Sequence, residues 1–170
     1  MSSTYINDVI RFFVLIAVQV LILSHINLGG YIDPMVYVLF ILLLPFEIPG
    51  WALLISAFLL GYGVDSFSNS TGLHAAAAVF MAFVRPFVVR LVGAPAEYEG
   101  NLKPGIAHMG FKWFLAYTSL LVFVHHLVLF LLEAFRFAEI GMVLLRTILS
   151  SIFTIALIVI AVYLFMPRKK

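Results

Sequence analysis

The sequence predicts an all-α polytopic membrane protein, a six-transmembrane-helix bundle forming a single domain over residues 1–170. Three observations carry that prediction. The chain is 64% hydrophobic and only 11% charged, with a mean hydropathy of +1.15. A soluble domain is about half apolar and a quarter charged, so this chain lacks the polar surface to cover a water-facing globule. Apolar runs near the roughly 20 residues needed to cross a bilayer recur along it, and turn-forming or charged residues separate them. This composition excludes an ordinary soluble enzyme, a disordered regulator and a nucleic-acid binder. The net charge is only +2 and no basic stripe tracks phosphates. With no cysteine, there is no disulfide framework, thiolate metal site or cysteine nucleophile.

The expected spans are 9–28, 35–46, 51–64, 73–92, 111–132 and 143–166. Asp8 and Arg11 mark entry to the first, which is too long and lacks the cleavage site for a removable signal peptide. Gly29, Gly30, Asp33 and Pro34 break it. The second is the weakest: its apolar run, Met35–Leu44, is short for a span, so a partly re-entrant element is the alternative. Pro45–Gly50 holds two prolines and a glycine and reads as a tight turn. Trp51 suits the interface at the start of the third span. Asp65–Gly72 reads as an exposed polar loop, and 93–110, with Pro95, Glu97, Glu99, Gly100 and Lys103, as the longest hydrophilic connection. Arg11, Arg90, Lys103, Lys112, Arg168, Lys169 and Lys170 fall toward one side, with Arg85 able to snorkel there, whereas Arg136 and Arg146 belong to the other. The positive-inside rule then puts both termini in the cytoplasm.

Polar residues inside spans are expensive and face the protein interior or an aqueous pocket. Arg146, Ser150 and Thr154 repeat every four residues along one face. They form either a seam for a ligand or partner or, more simply, helix–helix glue. Asp65 stands at the matching boundary, where it can reach Arg146; otherwise Asp65 caps its loop and Arg146 snorkels to lipid phosphate. His125 and His126 point about 100° apart and cannot chelate one ion from one face, so no metal site is expected. Gln19 should bond across to another helix. The small residues Ala52, Ser56, Ala57 and Gly61, facing Ala75, Ala78 and Ala82, predict close packing of the third and fourth helices. The motifs of nucleophilic or metal-dependent catalysis are missing, and neither an enzymatic activity nor a cofactor is expected.

The stretch from Leu59 to His74 carries a further pattern: Gly61-x-x-x-Asp65 at a helix end, a short Ser/Gly loop, then Gly72 opening the next helix. Here Gly61 permits close packing, Asp65 accepts hydrogen bonds from the loop or pairs with Arg146, and Gly72 can adopt the positive φ that turns the chain back. The pattern resembles the MreD family of rod-shape-determining membrane proteins, as do the Asp33-Pro34 step, the size, the six spans and the short basic tail. Asn69 departs from it, standing where relatives favour glycine. The resemblance implies a fold like the S components of energy-coupling-factor transporters. It further implies a non-enzymatic subunit of the bacterial inner membrane, with lipid around it. Its partners would be an MreC-like bitopic protein and, in a larger complex, RodA and a class B penicillin-binding protein, coupling MreB filaments to peptidoglycan synthesis. The alternative is an S component itself, binding a vitamin or metal ion near the outer side, with Arg146, Asp65, His74, His125 and Tyr31 available to line a pocket.

Overall fold

The computed structural model describes residues 2–26, 30–68, 70–93, 103–135 and 139–165. Asn69, most of the long connection (Pro95, Glu97, Glu99 and Gly100 among it), Arg136 and the basic tail lie outside the described residues. Five long helices appear: α1 (Ser2–Leu21), α3 (Gly50–Ser68), α4 (Leu73–Val92), α6 (Phe111–Ala134) and α7 (Ile140–Phe165). Each is long and apolar enough to cross a membrane, α1 together with the 3-10 turn at Leu23–His25 that extends it. The chain is a multi-pass helical membrane protein. Among the described residues there are also two short α-helices, α2 (Leu39–Leu42) and α5 (Ile106–Met109).

The expected second span is the main difference. Val36–Val38 forms a 3-10 turn that runs into the four-residue α2. Residues 36–44 are almost wholly excluded from the surface; Tyr37, Val38, Ile41 and Leu42 are at 0%. A break in helical hydrogen bonding at membrane depth is tolerated only inside protein, so this segment is packed around by the long helices and forms the centre of the core. The α3–α4, α4–α6 and α6–α7 pairs pack side by side, and α1 leans on α3 and on the buried segment. The ends of the bundle follow from contacts. Lys103 Nζ reaches both Asp8 oxygens at 2.7 and 2.8 Å, so the start of α1 and the 103–110 connection share one end. Lys103 is thus tied to α1, not part of a merely solvated loop. The ends of α1 and α3 and the starts of α4 and α7 lie at the other, joined by contacts described below.

The remaining boundaries shift for physical reasons. α4 begins and ends as expected, because Gly72 (φ 85°) and Gly93 (φ 74°) flank it in left-handed conformations. α3 runs four residues beyond the expected end at residue 64, so Asp65–Ser68 is helix rather than loop. Asp65 is only 4% exposed, held inward by the start of α4, and Ser66 Oγ bonds the Tyr62 carbonyl one turn back at 2.8 Å. Phe135 caps α6 in the left-handed region (φ 48°).

The α3–α4 contact is set by Gly61. A Cβ there would stand 2.5 Å from the Ala75 Cα and 2.6 Å from the His74 carbonyl oxygen. Ala57, Ala75, Ala78 and Ala82 are buried around it, as the small-residue pattern predicts. Gly61→Ala therefore has to push two backbones apart and should lower stability by about 1–3 kcal/mol. Gly63→Ala meets only the flexible tip of Ile16 and should cost less, and Gly50→Ala meets nothing. Thermal unfolding of the three variants in detergent checks this order; equal effects at positions 61 and 50 would contradict it.

Candidate functional site

The buried segment leaves main-chain groups outside any helical ladder, and the polar side chains set within the long helices meet them. At the break near Asp33 and Pro34, Gln19 of α1 donates from Nε2 to the Pro34 carbonyl (3.0 Å) and accepts the Tyr37 N–H at Oε1 (3.4 Å). Ser150 of α7 accepts the Asp33 N–H (3.0 Å) and donates to the Tyr31 carbonyl (3.4 Å). Thr154, one turn on, accepts the Met35 N–H (3.0 Å). His126 Nδ1 lies 2.9 Å from the Val122 carbonyl and must carry the proton, so Nε2 is free to accept the Thr154 hydroxyl at 3.3 Å. The hydroxyl face of α7 is thus a clamp on an irregular strand of backbone. Gln19 does bond across, as expected, but to main chain rather than to another helix.

At the opposite break, Arg85 of α4 corrects the expectation that it snorkels. It is 2% exposed, with Nη2 on the Leu44 carbonyl and both Nη1 and Nη2 on the Pro45 carbonyl at 3.4 Å. Its Nε donates to the Tyr117 hydroxyl at 2.7 Å, and that hydroxyl donates onward to the Leu42 carbonyl at 3.1 Å. The guanidinium thus satisfies the Leu44 and Pro45 carbonyls just beyond α2, and the Tyr117 hydroxyl takes the last α2 carbonyl, that of Leu42. The Phe46 ring lies 6.0 Å from it.

Asp65 and Arg146, expected within reach of each other, have separate partners. Asp65 Oδ1 accepts from the Ser70 hydroxyl (2.6 Å), the His74 N–H (3.1 Å) and the His74 ring Nδ1 (2.9 Å), while Oδ2 accepts the Ala75 N–H (2.9 Å). It therefore caps the first turn of α4 from the preceding helix, satisfying donors that a helix start leaves unpaired. Ser70, His74 and Asp65 do not make a hydrolytic relay. Ser70 Oγ (3.0 Å) and Asp65 both meet the same Nδ1, whereas a relay needs opposite ring nitrogens. Arg146 reaches Asp33 at 2.9 Å and Glu133 at 3.2 Å, with its guanidinium 4.4 Å over the Phe130 ring. Glu133 is at the end of α6, so this ion pair ties the start of the buried segment at Asp33 to both α6 and α7.

The motif positions thus form one joint. Gly61 lets α3 touch α4, Asp65 caps α4, and Gly72 supplies the left-handed turn between them. Arg146 belongs to a different cluster. His125 is fully buried with Nε2 2.7 Å from the Tyr37 hydroxyl, and Tyr37 meets the His74 ring edge-on at 6.0 Å. Among the described residues no His, Cys, Asp or Glu group is arranged to hold a metal. Two concavities on the described residues are open and apolar. One lies on the α3–α4 pair, lined by Leu54, Phe58, Tyr62, Ala76, Phe80 and Phe83, with a volume of about 590 Å³. The other lies between α6 and α7, about 300 Å³.

Sequence reasoning missed three of these residues. The sequence marks Asp33 as a helix breaker and as part of the Asp33-Pro34 step but not as the partner of Arg146, and it gives Arg85 and Tyr117 no interior role. For Arg85 a signal existed: Ala78, Met81 and Ala82, three to seven residues earlier, put it on the inward small-residue face.

Two outcomes follow. A double-mutant cycle of Asp33→Asn with Arg146→Gln should show coupling of about 0.5–3 kcal/mol in detergent stability, whereas Asp65→Asn with Arg146→Gln should be additive within about 0.5 kcal/mol. Arg85→Gln should cost about 1–3 kcal/mol for stranded buried carbonyls. Arg85→Lys should rescue little of it, because an ammonium cannot span Leu44, Pro45 and Tyr117 as the planar fork does. Full stability of the lysine variant would show that charge alone matters at this site.

Comparison with protein-family models, curated proteins and solved structures finds no match to this chain.

Proposed function

We propose that this chain is a non-enzymatic membrane subunit of the MreD kind. It would dock the membrane helix of an MreC-like bitopic protein and, with RodA and a class B penicillin-binding protein, help couple MreB filaments to peptidoglycan synthesis. The observation that carries the reading is where polar and apolar groups are used. Gln19, Arg85, Tyr117, Ser150 and Thr154 are engaged with the backbone of the buried segment. The open concavities are apolar and face outward. Membrane helices associate through close packing and shape rather than a hydrophobic drive. The α3–α4 groove, lined by Phe58, Tyr62, Ala76, Phe80 and Phe83, is suited to such packing.

An S component would instead need polar side chains converging on an open pocket. Of the residues available for one, Arg146 is engaged with Asp33 and Glu133, Asp65 with Ser70, His74 and Ala75, and His125 with Tyr37. A vitamin or metal ion that co-purifies at one equivalent would favour the transporter reading over ours.

The orientation is part of the proposal. Among the described cations, Arg11, Arg90, Lys103 and Lys112 lie toward the end that holds the start of α1, and Arg146 toward the other. The positive-inside rule then makes the first end cytoplasmic in a bacterial inner membrane, with both termini inside. On this reading the chain crosses six times, with residues 34–45 as the second, internal crossing.

Two measurements test these points. Ala76→Trp puts a bulky ring into the groove lining and should reduce co-purification of the bitopic partner about tenfold, equivalent to ~1.4 kcal/mol. Ile160→Trp, on the exposed side of α7, should not. Equal recovery with both variants would remove the groove from the mechanism. For orientation, the chain contains no cysteine, so single Thr71→Cys and His108→Cys variants carry one thiol each. An impermeant thiol reagent applied to intact spheroplasts should label position 71 and spare position 108; the reverse pattern would invert the topology.

A further inference from the structure

We draw no further inference here: the strongest candidate, the apolar groove between α6 and α7 lined by Ser119, Phe123, Ile148 and Ser151, is an unpartnered outward face, and nothing in the structure shows what covers it.

Discussion

Everything in this bundle depends on hiding the backbone of residues 31–45. That stretch carries the chain from the end holding Asp33 and Arg146 to the level of Arg85 and Tyr117 with only a 3-10 turn and four α-helical residues. Its unpaired N–H and C=O groups cannot face lipid, where each costs several kcal/mol. Two solutions operate together. The long helices close around it, so that residues 36–44 are nearly inaccessible. Side chains from α1, α4, α6 and α7 supply the hydrogen bonds that a regular helix would have made for itself.

That constraint explains why so apolar a chain keeps polar residues in its spans. Ser150 and Thr154 are one turn apart, and they meet the N–H groups of Asp33 and Met35, two residues apart on a nearly extended segment. A helix advances about 6 Å in four residues and an extended chain about 6.6 Å in two. The two repeats match, so a face of hydroxyls can follow an irregular strand. Arg85 solves a different problem at the other break. Three adjacent carbonyl and hydroxyl acceptors converge there, and one planar guanidinium reaches them all.

Much of this frame was legible in the sequence. The long apolar runs located the five long helices, and the Gly61, Ala75, Ala78, Ala82 pattern identified the α3–α4 contact. Gly72 was expected to take a positive φ, and it does. What hydropathy could not supply was the direction in which Arg85 points or the partner of Arg146. A cation near a span end looks the same whether it snorkels or binds buried carbonyls, and the Asp33–Arg146 contact joins residues 113 apart. The second segment was ambiguous for a related reason. An apolar run records burial, not whether lipid or protein does the burying, and Val36–Leu44 is buried by protein.

Asp65 illustrates how a charge near a membrane boundary can be consumed by architecture. Its carboxylate collects donors from Ser70, His74 and Ala75, and a carboxylate is the natural acceptor for the positive end of a helix. Gly61, one turn earlier on the same helix, brings Ala75 close enough for that bond to form, since any side chain there would push α4 away. The glycine and the aspartate therefore need each other: close approach delivers the donors, and the acceptor makes the close approach worth its loss of side-chain packing. The same joint sets how α3 and α4 sit against each other, and Leu54, Phe58 and Phe83 on the outside of that pair are left as the walls of an apolar groove. The joint of Gly61, Asp65 and Gly72 thus acts on the apolar outward face of the pair through geometry, with the Asp65 carboxylate itself buried.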